Sequence, residues 1–533
     1  MGNVTPVFIF NSLDIVRGGL TKAVLTRANT LVEYFPETQF FTLLYQRDHK
    51  EIIQKLYESG KLDKRIKVHN FFLDAIPSKD ESKINSTSVI QSVKEQGLIE
   101  FIDSGSKQPA YRYYQNGLYV KYKKFDKQQR LMFIDYMDEG RHRTRREEFD
   151  PDGNLSRIQH MDLVTNTPKL ERYVDSNGEC FLSIWVNPKS KKSGRCLLFH
   201  PKPREFNDIS KLYAFWIAEK IKHLNHPILM SDSRATDEVL LNIKENGVKK
   251  IAICHNNHFT KPYTKDSEIK KTWVPLLTNL NEFDRVVLLT NEQREDIEET
   301  FGNRDILRVI PHSVQPIETS HQKVEPSPYL AVTLARYNVQ KRLDEAIKAF
   351  QFVVEKIPNA EYHIYGFGSE EDKLKDLISK LKLQKHVFLK GFTNDAVATY
   401  QSACCSILTS DYEGFGLVMT ESLAAGTPVV AYDIKYGPRD IIRDGVDGYL
   451  VPKGDQKQLA EKIIYLMENP NIRKQFSEHA KDVFQRFNYE DYKRKWKELF
   501  MEFELNNNED QEIEQDVEEK QEKRSMWRML FKK

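Results

Sequence analysis

A chain of 533 residues with 40% apolar and 30% charged residues is long enough for two or three cores. Its 80 Lys+Arg against 78 Asp+Glu leave a net charge of +2, which excludes a global pull toward nucleic acid. The 5 cysteines (Cys180, Cys196, Cys254, Cys404 and Cys405) form no C-x-x-C pair, so a reducing cytoplasm is expected rather than a disulfide framework or a zinc site.

In chain order, "VTPVFIFNSLDIVRGGLTKAVLTRANTLVEYF" predicts a buried strand, a loop closing on Gly18 and Gly19, and a helix. The opening apolar run is too short for a signal-peptide core, and no window approaches the ~20 apolar residues of a membrane span. From about residue 75 to 204 the texture changes to alternating apolar and polar residues. Turn signals such as "DEG", "DPDG" and "DSNG" recur there, which predicts a β-rich meander inserted in the first α/β half. Residues 107–204 hold 20 Lys+Arg and 12 Asp+Glu, a local excess of 20 − 12 = +8. Arg141, Arg143, Arg145 and Arg146 in "EGRHRTRREEF" are its first candidates for binding a polyanionic acceptor. The βα pattern resumes at "HPILMSDSR", "KKIAICHNN" and "FDRVVLLTN", and begins afresh at "YLAVTLAR". Expected domains are 1–74 with 205–315, the insertion 75–204 for acceptor binding or oligomerisation, 316–487, a helix 488–503 returning to the first domain, and a tail 504–533. In that tail an acidic run precedes the basic amphipathic "RSMWRMLFKK", a candidate contact with the inner membrane face.

The chemistry centres on "YEGFGLVMTESLAAGTPVVAYD". Glu413 is expected at a strand end and Glu421 on the following helix. The turn through Gly416 and Leu417 opens that helix, whose free N–H groups attract an anion. Two acceptor-only carboxylates at two levels suit a ligand with hydroxyls at two levels, as a nucleotide-sugar has. Arg336, just after a strand, and Lys341, just before a helix, can meet its diphosphate, while Gly18 and Gly19 let backbone approach the phosphates. No D-x-D motif sits convincingly at a strand end, so no metal site is expected, and "DPDG" reads as a hairpin turn.

These residues together resemble the retaining glycosyltransferases of family 4. "FNSLDIVRGGLTKAVLTRA", the β-rich insertion, "CHNNH" and "AYDIKYGPRDIIRDGVDGYLV" look like the bacterial α-glycosyltransferases of wall teichoic acid. The resemblance implies an α/β GT-B fold, with two Rossmann-like doubly wound domains facing a cleft and the β-rich insertion in the first. It implies transfer of glucose or N-acetylglucosamine from UDP-glucose or UDP-N-acetylglucosamine, as co-substrate with no other cofactor, to a poly(ribitol- or glycerol-phosphate). Arg336 and Lys341 would hold the diphosphate, Glu413 the donor sugar, Glu421 the ribose, and His255 would approach the sugar. The implied protein is cytoplasmic, a homo-oligomer built as a trimer through the insertions, and makes no use of nucleic acid. Relatives that glycosylate serine-rich surface proteins supply the alternative acceptor, and a catalytically silent GT-B subunit is the alternative role.

Overall fold

In a computed structural model the described residues are 4–15, 18–76, 92–314 and 324–504. They divide into two compact units, one of Thr5–Ser231 with Ala235–Val248, the other holding Asp232–Arg234 and the described chain from Lys249 onward. Of the parallel strands of the first Rossmann-like half, four lie in the first unit and three in the second.

In the first unit, Thr5–Phe10 is buried at every position and pairs in parallel with both Gln39–Thr42 and Pro227–Ser231, while Lys67–Asn70 pairs beyond Gln39–Thr42. A strand covered on both faces needs the continuous apolar run that "VFIF" provides. The helix Gly19–Val32 buries Val24, Leu25, Ala28 and Leu31, spaced as a helical stripe requires.

The same unit carries a ten-stranded antiparallel sheet from Ile99–Ile102 to Arg204–Phe206, in which every strand neighbours the next in sequence. Its hairpins share one device. Asp126, Asp138, Asp150 and Asp175 each accept, on Oδ1, the backbone N–H of the residue four positions on, and each donates its own N–H to that residue's carbonyl. An aspartate that bonds its own turn favours reversal over strand continuation. "DPDG" is therefore a hairpin turn. The sheet is tied to the α/β part of its unit by Arg47, which donates to the carbonyls of Phe149 and Leu131, and by Arg130, which pairs with Glu51.

In the second unit, Lys249–Ile253, Arg285–Leu288 and Leu307–Val309 form a parallel set. The helix over 489–504 buries Trp496, Leu499, Phe500 and Phe503, and Glu502 pairs with Arg285 and Arg308 on that set. The second Rossmann-like half is a six-stranded parallel sheet in the spatial order Val387–Gly391, Glu361–Tyr365, Ser327–Leu334, Ala403–Leu408, Val429–Asp433, Gly448–Pro452. The helix Leu343–Lys356 packs Leu343, Ile347, Phe350 and Val353 against Ala331, Tyr362 and Ile364. Burying each such large side chain stabilises by ~1.5–3 kcal/mol, and Phe350→Ala would cost about 3–5 kcal/mol. Among the described residues no helix is long and apolar enough to cross a membrane. The amphipathic tail 524–533 lies outside the described residues.

Candidate active site

Numbered in chain order, the strands of the second half lie 3-2-1-4-5-6, so the order reverses between the first, Ser327–Leu334, and the fourth, Ala403–Leu408. Open α/β sheets bind ligands in the crevice beyond the carboxyl ends of the strands at such a reversal. Arg336 and Lys341 leave the first strand there, and Glu413 leaves the fourth.

The two segments are laced together. Asn338 caps the short turn Val339–Lys341 by accepting from the Lys341 N–H at 3.2 Å. Thr409 Oγ1 donates to the carbonyl of Lys341 at 3.1 Å, and Gln340 Nε2 to that of Tyr412 at 2.9 Å. On this frame Lys341 Nζ donates to Glu413 Oε1 at 2.5 Å and Ser410 Oγ to the same oxygen at 2.6 Å. Glu413 is buried, and its Oε2 has no partner among the described residues. A fixed carboxylate with one open oxygen is suited to accept from a sugar hydroxyl. The exposed Arg336 guanidinium makes no ion pair with any described residue, and its charge acts on the neighbouring Tyr412 hydroxyl.

The glycines of "EGFGL" have separate reasons. A Cβ on Gly414 would stand 2.0 Å from the carbonyl oxygen of His255, so only glycine lets the "CHNNH" backbone pass this close. Gly416 has φ +95 and opens the helix Leu417–Ala424, which carries Leu417 at its first position and Glu421 one turn on, near Tyr400. His255 Nε2 bonds Asp232 Oδ1 at 2.7 Å, and its ring stacks on His312 at 5.5 Å. His258, from the same motif, is fully buried against Phe259, Trp273 and Tyr436, and burial lowers its pKa to about 4. It is a core histidine.

The structure thus gathers Arg336, Lys341, Glu413, Gly416, Leu417, Glu421 and His255 in the second unit. Gly18 and Gly19 begin an exposed helix end in the first unit, where Gly18 has φ −67 and open space at its Cβ position, so no turn requires glycine there. Of the four candidate arginines of the antiparallel sheet, three have side chains engaged locally. Arg141 occupies a turn at φ +63, while Arg143 and Arg146 both pair with the buried Asp135 at 3.4 and 2.7 Å. Arg145 pairs with Glu147 at 2.9 Å and lies over the Tyr136 ring.

Sequence reasoning missed Asp232 and Ser410, and it leaves open whether Lys435, Tyr436 and Gly437 in "DIKYGPRD" line the cleft or are structural. The Glu413 N–H donates to the Lys435 carbonyl and the Tyr436 N–H to the Glu413 carbonyl, both at 3.1 Å. Lys435 Nζ and Tyr436 OH both bond Asp296 Oδ2 at 2.6 Å. A strand-end aspartate in "MSDSR" was the one available signal for Asp232.

A six-stranded parallel sheet with polar side chains at its order reversal, in a chain that holds a further set of parallel Rossmann-like strands, has the parts of a GT-B fold. Residues 316–483 match the family model of glycosyl transferases group 1, and residues 7–194 that of glycosyl transferase 1 domain A. The chain is 30% identical to the poly(glycerol-phosphate) alpha-glucosyltransferase of Bacillus subtilis, over 92% of this chain and 74% of that one. It is 26% identical to the poly(ribitol-phosphate) alpha-N-acetylglucosaminyltransferase of Staphylococcus aureus, over 92% and 98%. The crystal structure of TarM superposes with a TM-score of 0.80 at 26% identity, covering 93% of this chain and 98% of TarM. A mutant of S. aureus TarM in complex with fondaparinux, alpha-GlcNAc-glycerol and UDP gives 0.79, over 94% and 100%. The chain belongs to this family of GT-B glycosyltransferases, with the poly(polyol-phosphate) α-glycosyltransferases among its members.

Proposed function

We propose that this protein transfers glucose or N-acetylglucosamine from the corresponding UDP-sugar to the poly(polyol-phosphate) of wall teichoic acid, with retention and without a metal. The observation that carries the reading is that the likeness to the B. subtilis enzyme runs over 92% of the chain, antiparallel sheet included, and is not confined to the donor half. Arg336 and Lys341 neutralise the charge that develops on the departing UDP, the work a divalent cation does elsewhere. Glu413 takes a hydroxyl of the donor sugar on Oε2, Glu421 takes the ribose, and His255, held by Asp232, approaches the sugar from the other side. No side-chain nucleophile is required. The leaving diphosphate accepts the acceptor's proton on the face it departs from, which keeps the anomeric configuration.

The site of action is the cytoplasm, a reading supported by all five cysteines being free. A homo-oligomer is supported by the edge strand Ile99–Ile102, where Ile99, Phe101 and Ile102 are exposed.

The test is transfer of radiolabelled sugar from UDP-glucose and UDP-N-acetylglucosamine to purified poly(glycerol-phosphate), poly(ribitol-phosphate) and a serine-rich polypeptide, with and without EDTA. An α-linked product on a teichoic acid, formed in EDTA, is expected. Labelling of the polypeptide alone would overturn the acceptor, and loss in EDTA with rescue by Mg²⁺ would overturn the metal-free mechanism.

A further inference from the structure

Beyond the donor residues, a hairpin leaves "CHNNH" and returns. Thr260 N–H donates to the Glu268 carbonyl at 2.7 Å, Lys270 N–H donates to the His258 carbonyl at 2.9 Å, and Phe259 bridges Ile269. The hairpin carries Tyr263 at φ +73, a left-handed backbone that a bulky residue adopts only when its surroundings enforce it. That conformation sets its ring 4.3 Å from the ring of Tyr412, the residue before Glu413. Lys270 Nζ lies 3.9 Å over the Tyr412 ring and 5.3 Å from the Tyr263 ring, and it donates to the Asn257 carbonyl at 2.7 Å. Lys453 Nζ approaches Tyr263 from another side, at 5.2 Å.

The charges of this cluster are unequally matched. Lys453 pairs with Asp411 at 3.0 Å, so its charge is met. Lys270 is half-buried and makes no ion pair with any described residue; a carbonyl and two ring faces orient an ammonium without neutralising it. Burial draws its pKa down to about 8, so at neutral pH it remains mostly charged, and an arriving anion would secure that charge. A desolvated cation with no counter-charge among the described residues is a ready anion site. Arg336 and Lys341, at the end of the first strand of the six-stranded sheet, already serve the donor diphosphate. The Tyr263–Tyr412 shelf adds what a free phosphate does not need: flat faces for C–H groups and phenol hydroxyls that bond alcohols.

We propose that Lys270, on the Tyr263–Tyr412 shelf, binds a phosphodiester of the acceptor chain, with the adjoining polyol laid across the two rings beside Glu413. This rests on the poly(polyol-phosphate) reading above and names the subsite that reading lacks.

The test compares Lys270→Met, which keeps the apolar stem, with Lys270→Arg and with Tyr263→Ala on the exposed hairpin, each checked for folding by circular dichroism. Three quantities are measured: KM for poly(glycerol-phosphate), KM for the UDP-sugar in donor hydrolysis, and direct calorimetric binding of a short oligo(glycerol-phosphate). Lys270→Met should raise the acceptor KM and weaken oligomer binding by about tenfold or more, the scale of one lost charge-assisted contact. Donor hydrolysis should keep its KM, Lys270→Arg should recover most of the loss, and Tyr263→Ala should show a smaller rise. Unchanged oligomer binding in the folded Lys270→Met and Tyr263→Ala proteins overturns the proposal. A matching rise in the UDP-sugar KM also overturns it, assigning Lys270 to the donor diphosphate. Wild-type protein that binds the oligomer through Lys270 but transfers no sugar to teichoic acid would sink the proposed function while leaving this subsite standing.

Discussion

At the end of the strand Ser327–Leu334, Arg336 stands without a carboxylate partner among the described residues, and five positions on Lys341 holds a glutamate that keeps one oxygen open. On the strand Arg143–Phe149, arginines in a far more basic stretch close on Asp135 and Glu147 within their own sheet. The difference teaches that charge count and charge availability are separate quantities. The +8 excess of residues 107–204 marks the insertion as basic, yet three of its four most conspicuous arginines are paired with carboxylates of their own sheet. The second Rossmann-like half has a less conspicuous charge pattern, yet it leaves Arg336 exposed where a ligand can use it, while Lys341 is held by Glu413.

The strongest test of this contrast is on the donor side. Arg336→Ala, Lys341→Ala and Glu413→Gln should each lower turnover by about 10²–10³, the usual loss on removing one preorganised electrostatic contact, with circular dichroism unchanged. Wild-type turnover in both cation variants, once folding is confirmed, would remove the donor site from this crevice.

The converse expectation applies to the sheet. Arg146→Gln leaves the buried Asp135 with only the longer contact to Arg143, so chemical denaturation should show a loss of about 1.5–3 kcal/mol, typical for a hydrogen bond to a charged group. The acceptor KM should hold. Arg141→Gln, on a turn, should alter neither. A raised KM at unchanged stability in Arg143, Arg145 or Arg146 variants would break the contrast and make the sheet an acceptor surface.

A smaller effect is expected at Asp232, which bonds His255 Nε2. Asp232→Asn should lower turnover about tenfold, in the range of partners that orient another group. The double variant with His255→Ala should be no worse than His255→Ala alone, because the two act as one unit. Additive losses would show that Asp232 works independently of the histidine.

The α/β alternation, the meander and the strand-end placement of Arg336, Lys341 and Glu413 were legible because each depends on local pattern: buried apolar runs, turn aspartates, and Gly416 before a helix. Asp232 and Ser410 were not, since their partners lie 23 positions away at His255 and three away across a turn. The separation of 23 follows no local period, and Ser410 and Glu413 lie in a loop, where a spacing of three does not by itself bring side chains together. The engagement of Arg143 and Arg146 was hidden for a related reason. A register shift near Met137 lets two arginines three positions apart reach one aspartate, which simple alternation along a strand would forbid. The role proposed for Lys270 depends on a negative fact, the lack of a paired carboxylate among the described residues, and no sequence window shows that.

The smallest effect separates the two units by their buried histidines. His258 in the donor-bearing unit and His49 in the sheet-bearing unit are both held to about 4 by burial, against 6.5 for an exposed imidazole. Because the folded value is depressed, the unfolded chain takes up the proton first. The stability from each neutral ring is complete above about pH 6.5 and is lost as pH falls toward 4. At pH 6 the loss is on the order of 1 kcal/mol for each histidine, and it grows through the window. His258→Phe, which keeps a ring against Phe259, Trp273 and Tyr436, should remove the donor-side share and leave the other. Denaturation at pH 7, 6 and 5, followed separately by a probe in each unit, should therefore show a flatter acid limb only for the unit holding residue 258. An unchanged slope there would mean that His258 already carries its proton in the fold, and that the floor beneath Tyr436 is wetter than its packing implies.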